Sequence, residues 1–271
     1  MKNFFLDKWF LDFISDSGEL MIFYAAKLTW YGVSVSYSSW LSYNPDSGVQ
    51  FKSRLGKLQL PVTNNGKIIW EDKKFGISGT WESKGKSIQA RILESGEGYL
   101  NWQCHQPNSK VTLKIGALNF EGKGYAEQLT LTVLPWKVPM DELRWGHYCS
   151  DKNDLVWIEM RDEGRRQWVW MNGEEIKDCL IEDNYLSMPE KGIFLNLDRI
   201  AVLESEKKIY SVVGNLVRYL PGLNKAVPYQ FLMADEFKWL NRGTLQEKSG
   251  NLSHGMAVNE RVNFKTHEAG N

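Results

Sequence analysis

The 271-residue chain carries no net charge: 33 Lys and Arg balance 33 Asp and Glu, and neither sign is gathered into a block. Without a positive surface field nothing draws in a nucleic-acid backbone, and nucleic acid is set aside as a partner. Long hydrophobic runs are missing too; the apolar stretches fall far short of the roughly 20 residues a transmembrane helix needs. Met1 to Leu20 carries Asp7, Asp12, Asp16 and Glu19 among its aromatics, whereas a secretion signal has a basic start and an unbroken apolar stretch. A cytoplasmic location is therefore expected. Cysteine is scarce, and Cys104, Cys149 and Cys179 form an odd set without CxxC spacing. That excludes a disulfide framework and argues against a zinc site, leaving three small buried apolar residues. The four histidines lie far apart with no HxH or HExxH pairing, so no metal is expected. GxGxxG, GxxxxGK[ST] and GxSxG are absent as well; no nucleotide cofactor and no α/β-hydrolase chemistry is expected.

What the chain has in excess is aromatic rings: 12 Trp, 11 Tyr and 12 Phe, 13% of all residues. Rings of this size favour strands and line apolar cavities. Strand-like segments dominate. Leu20 to Tyr24 is an apolar run, Val33 to Trp40 alternates in part, and Asn64-Asn65-Gly66 is a hairpin turn before Ile68-Ile69-Trp70. Ser87 to Leu93, Tyr99 to Cys104, Val111 to Ile115 and Tyr125 to Leu134 follow. In the second half Leu155 to Met160 and Gln167 to Met171 flank a polar turn, and Asn172-Gly173 ends the second of them. Ile200 to Leu203, Ile209 to Val213, Phe237 to Leu240 and Ala257 to Phe264 continue the series. Helical turns are expected only within Met1 to Phe13 and Tyr229 to Trp239. Many short strands at close spacing indicate antiparallel barrels or sandwiches, not a βαβ fold.

An internal repeat sets the organisation. Ile14 to Tyr24 (ISDSGELMIFY) and Cys149 to Glu159 (CSDKNDLVWIE) each place Ser-Asp in a turn, then an acidic residue and Leu, then an apolar strand. Asp16 and Asp151 are 135 positions apart. A second echo, GYAEQLTL from Gly124 and GMAVNERVNF from Gly255, has a spacing of 131 and sets His254 against Lys123. Periods this long mark duplicated domains: residues 1–136 and 137–265, with a polar tail at 266–271 that includes His267. Pro135 and Pro139 bracket Trp136 where the chain would cross between them.

Three stretches carry a family resemblance. WFLDFISDSGELMIFYAA (Trp9 to Ala26), YLNWQCHQPNSKVTL (Tyr99 to Leu113) and FEGKGYAEQLTLTVLPWKVPMDELRWGHY (Phe120 to Tyr148) resemble the lipocalin-like superfamily of carotenoid 1,2-hydratases, AttH-like proteins and tocopherol cyclases. The resemblance implies an all-β fold of two tandem antiparallel lipocalin-like (calycin) barrels, with an apolar ligand held by the barrels or between them. It also implies cofactor-free chemistry on polyprenyl or polyene substrates, by protonation of a double bond followed by hydration or ring closure. Related proteins guide cycloadditions in natural-product pathways.

Such chemistry needs a buried carboxylic acid, aromatic faces to stabilise a cation, and exclusion of water. The candidates are Glu127, Arg144 and His147 as catalytic groups, with Tyr125, Trp145, Trp102, His105, Trp168 and Trp170 as ligand contacts. Period-two alternation puts Tyr125 and Glu127 on one face, Trp145 and His147 on another, and Trp168 with Trp170 on a third. Each has a purely structural alternative. Glu127 and Arg144 would make a buried ion pair, His105 a hydrogen-bonded turn residue, and the tryptophans ordinary core. Three functions follow: a hydratase, cyclase or isomerase; a non-catalytic carrier of a lipophilic ligand; or a structural module with packed barrels.

Overall fold

The computed structural model describes residues 4–208, 220 and 222–264. The chain forms two compact units, the first within the chain up to Val138 and the second beginning at Pro139. Pro135–Lys137 is a short 3-10 turn.

The first unit holds β1 (Phe4–Ile14), β2 (Leu20–Trp30), β3 (Val33–Asn44), β4 (Gly48–Leu55) and β5 (Val62–Asn64). It continues with β6 (Lys67–Asp72), β7 (Ile77–Ser83), β8 (Ile88–Ser95), β9 (Gly98–Ile115) and β10 (Leu118–Leu131). They make one curled antiparallel sheet in the order β4-β3-β2-β1-β10-β9-β7-β6-β5, with β8 also on β9. The second unit holds β11 (Glu142–Ser150), β12 (Asp154–Arg161), β13 (Arg165–Met171), β14 (Glu174–Ile176) and β15 (Leu180–Ile181). Its remaining strands are β16 (Tyr185–Met188), β17 (Ile193–Lys208), β18 (Asp235–Gln246) and β19 (Leu252–Asn263). Their order, β14-β13-β12-β11-β19-β18-β17-β16-β15, repeats that of the first unit strand for strand. The long β17 does alone what β7 and β8 do together. The duplication read in the sequence is thus a duplication of topology.

The repeat has a register that the sequence echo misses by two residues. Ile14 to Tyr24 spans the β1–β2 turn and Cys149 to Glu159 spans the β11–β12 turn, so β1 and β11 are related by 135. Phe10 pairs with Glu127, and its counterpart Trp145 pairs with Glu260. β10 and β19 are therefore related by 133, not 131: Gly255 answers to Gly122, and His254 to Glu121. The glycine contacts agree. A Cβ at Gly122 would strike the Ile14 carbonyl oxygen and the Phe13 ring; at Gly255 it would strike the Cys149 carbonyl oxygen and the Tyr148 ring. Two strands approach too closely for a side chain at the same place in each unit. Alanine at either glycine is expected to cost about 1–3 kcal/mol through the forced backbone shift, measurable by urea denaturation.

Each sheet packs a core on its inner face. In the first unit this is Trp9, Leu11, Phe13, Phe23, Trp70, Trp81 and neighbours; in the second it is Tyr148, Leu155, Trp157, Val169, Leu195, Leu245 and neighbours. The three cysteines are free and buried. Both Asn-Gly pairs make hairpin turns, with positive φ at Asn65, Gly66, Asn172 and Gly173.

Three local expectations are corrected. Residues 4–14 form a strand, not helical turns: Trp9, Leu11 and Phe13 face the core while Phe10, Asp12 and Ile14 are buried on the other face. A strand buried on both faces shows no alternation to read. Helix covers only Tyr229–Leu232 of the second predicted stretch, a further short helix over Leu223–Ala226 lies outside both, and Asp235 already begins β18. The segments Tyr99–Cys104 and Val111–Ile115 are one 18-residue strand, β9. Pro107 is tolerated because β8 pairs β9 only as far as Cys104 and β7 only from Ser109, so no ladder on that side needs its missing N–H. Ile209 to Val213, residues 266–271 and His267 lie outside the described residues.

Candidate functional site

The outer face of the first sheet, opposite the core, carries a carboxylate in an aromatic shell. Glu127 on β10 accepts two short hydrogen bonds on a single oxygen, Oε2: from the indole N–H of Trp102 on β9 and the phenol O–H of Tyr125, each 2.6 Å. Tyr125 and Trp102 are buried; Glu127 is partly buried. Phe10 on β1 pairs with Glu127 and sets its ring edge-to-face with both Tyr125 and Tyr24, at 5.9 and 5.3 Å. Burial first, then Cys104 and Glu127, pushes the Tyr125 phenol well above its ordinary value. It therefore stays protonated and stays a donor.

A bulge makes this arrangement possible. The register of β9 on β10 shifts between Gly124 and Ala126 and again before Glu127, with the extra residues in β9, which turns its successive side chains relative to the sheet. The backbone N–H of Tyr125 is then taken by the carboxylate of fully buried Asp12, at 2.7 Å. The carbonyl of Asp12 in turn accepts the indole N–H of Trp81, at 2.7 Å, from the core side. Asp12 was not among the sequence candidates. Its mark was visible: a lone acid inside the apolar run WFLDFI must be partnered if that run is buried.

The other candidates fall in separate places. His105 is on the inner face of the first sheet, stacked on Trp9 with centroids 4.8 Å apart. Its Nε2 reaches Gln128 Oε1 at 3.3 Å, and Gln128 Nε2 donates to Asp7 at 2.8 Å. Burial is the first cause both of the lowered His105 and of the raised Asp7. In the second unit Trp145 and His147 are buried on the outer face in ring contact, 5.8 Å between centroids. Trp168 and Trp170 pair with Ile158 and Val156, which pair in turn with Trp145 and His147, so these four candidates share one face, opposite Trp157 and Val169. Arg144 ion-pairs with Glu142 at 2.7 Å, Asp183 at 3.0 Å and Glu182 at 3.2 Å. It is part of an ionic layer in which Arg161 also binds Glu142, Glu182 and the fully buried Glu159. Among the described residues no group of three or more His, Cys, Asp and Glu is placed to hold a metal, and no helix is long and apolar enough to cross a membrane.

No protein-family model and no curated protein matches the chain. Solved structures do. CghA with Sch210972 aligns over 96% of this chain and 88% of its own, with TM-score 0.55 at 10% identity. Kievitone hydratase from Nectria haematococca aligns over 95% and 88%, with TM-score 0.55 at 12% identity. An AttH candidate from Nitrosomonas europaea aligns over 97% and 93%, with TM-score 0.53 at 8% identity. At these identities the likeness establishes the fold: the chain has the two-barrel, lipocalin-like architecture of AttH-like proteins.

Proposed function

We propose that the chain binds an apolar isoprenoid, polyene or polyketide-like molecule and carries out hydratase-like chemistry on it, with Glu127 moving the proton. The observation that carries this reading is the Glu127 oxygen held by Trp102 and Tyr125 in an aromatic surround. Two donors aimed at one carboxyl oxygen favour its ionised form. That makes Glu127 a proton acceptor first: it takes a proton as water's oxygen bonds to one carbon of a double bond, and returns it to the other carbon. The neighbouring rings suit an apolar substrate. Tyr125 and Trp102 fix the carboxylate, and Asp12 fixes Tyr125. That one solved structure of this fold is named a hydratase supports the reading by analogy of architecture.

The test begins with native mass spectrometry of the purified chain and organic extraction of anything retained. Polyprenyl and polyene probes are then incubated in ¹⁸O-water. A product heavier by one labelled water is expected, with Glu127→Gln slower by about 100-fold or more, as loss of a proton-transferring group implies, while the probe still binds. Equal turnover by Glu127→Gln would remove Glu127 from the chemistry. Retention of a ligand without turnover would assign the chain to lipophilic transport.

A further inference from the structure

The first unit carries a second titratable cluster, on the face of the sheet opposite Glu127. Along the inner face β1 gives Phe13, Leu11 and Trp9 to the core and then reaches Asp7. Strand pairing extends the change across the sheet: Trp9 stands opposite Gln128, Gln128 opposite Gln103, and Asp7 opposite Lys27. Trp9 is buried, whereas Asp7, Gln103, His105 and Gln128 are partly exposed and Lys27 is exposed. At this end the inner face is polar and solvent reaches it.

His105 occupies a special place in β9. Gln106 pairs with Ala126 and Cys104 with Glu127, so His105 is the extra residue of the bulge, with nothing opposite it on β10. Bulges re-aim side chains and gather beside functional sites. The imidazole is held flat on Trp9, 4.8 Å between centroids and 7° from parallel.

Hydrogen bonding then fixes its tautomer. An amide nitrogen only donates and an amide oxygen only accepts. Gln128 Nε2 donates to Asp7 Oδ1 at 2.8 Å, which leaves Gln128 Oε1 turned to His105 Nε2, 3.3 Å away. Facing an oxygen that can only accept, Nε2 carries the ring proton and Nδ1 keeps its lone pair. Burial is the first cause that lowers His105, and it favours the uncharged ring. Among the described residues no group hydrogen-bonds Nδ1, nor is Nδ1 among the buried atoms left without a partner. It is a base that meets solvent.

We propose that Asp7, Gln128 and His105 form a relay that presents His105 Nδ1 as the acceptor for the hydroxyl group of a neutral, flat, apolar molecule bound on the inner face of the first unit. Asp7 polarises the Gln128 amide, the amide polarises the Nε2–H bond, and Nδ1 becomes the stronger acceptor. The Trp9–His105 stack offers apolar ring surface beside that nitrogen. Asp7 disfavours an anionic ligand by like charge, and a lone pair at Nδ1 has no proton to give to a carboxylate.

The experiment reads the histidine nitrogens of the full chain by NMR after ¹⁵N-histidine labelling, with His105 identified by the signal that His105→Phe removes. That variant keeps a ring for the Trp9 stack. At pH 7 the Nε2–H form is expected, and a dominant Nδ1–H form overturns the relay. Gln128→Leu should let the Nδ1–H form appear, which a histidine held by packing alone would not show. Benzyl alcohol is then titrated against toluene and benzoate. A shift at His105 Nδ1 is expected with benzyl alcohol, which should bind about fivefold tighter than toluene, the size of one neutral hydrogen bond; benzoate should bind weakest. No shift up to the solubility of benzyl alcohol, equal binding of toluene, or a preference that survives in His105→Phe would each overturn the proposal. If His105→Phe does not fold, wild type decides by the same comparison, with His105 identified by the signal that Gln128→Leu moves. None of these readouts involves turnover at Glu127.

Discussion

Replacing Lys238 with methionine is expected to destabilise the chain by about 3–5 kcal/mol, the range for removing one partner of a buried ion pair. The methylene stem is conserved in volume, so the loss comes from the charge and not from a cavity. Glu204, Glu236 and Glu260 would be left without the Lys238 ammonium that each contacts. Loss of the ammonium favours their protonated forms. The cost should therefore grow with pH, being smaller at pH 5 and larger at pH 8. Urea titrations at the two pH values measure both the size and the trend. A loss below about 1 kcal/mol at pH 8 would mean the pair behaves like a surface one, which its 1% exposure argues against.

The second large effect is expected at Trp81. It is fully buried in the first core, packs edge-on to Phe23 at 6.3 Å, and donates its indole N–H to the Asp12 carbonyl. Trp81→Ala should cost about 3–5 kcal/mol, from lost apolar burial and the cavity left behind. Trp81→Phe keeps most of the volume and separates out the hydrogen bond. Its smaller loss, about 1–3 kcal/mol, reflects a buried carbonyl left with one partner fewer. Asp12 links Trp81 to the backbone of Tyr125, and Tyr125 to Glu127. Trp81→Phe should accordingly lower turnover at the proposed site while the chain stays folded. Turnover with the hydration probes above, alongside the melting temperature, checks this; unchanged turnover would show that the two faces of β1 are uncoupled.

Much of this molecule was legible before any coordinates. The all-β class followed from aromatic, turn-punctuated segments, and the duplication followed from two echoes at nearly one spacing. Alternation correctly paired Tyr125 with Glu127, now joined by a 2.6 Å hydrogen bond, and Trp145 with His147, now in ring contact. These are consequences of strand geometry over two residues, and the sequence determines them because nothing distant is needed.

Only the tertiary structure decided the rest. Trp102 meets Glu127 across 25 residues, and Asp12 meets Tyr125 across 113. Strand pairing governs those meetings, with a bulge in β9 resetting its register on β10 beside Glu127, and no local propensity encodes either. Pairing register also moved the second repeat by two residues. That shift brought Glu260, not Val258, opposite Trp145 and so exposed the Lys238 cluster. His105 lies one position from Cys104 and yet faces the core, away from Glu127. Sequence determined which residues share a strand face over short spans. Long-range pairing decided which strands meet, in what register, and therefore which side chains meet across them.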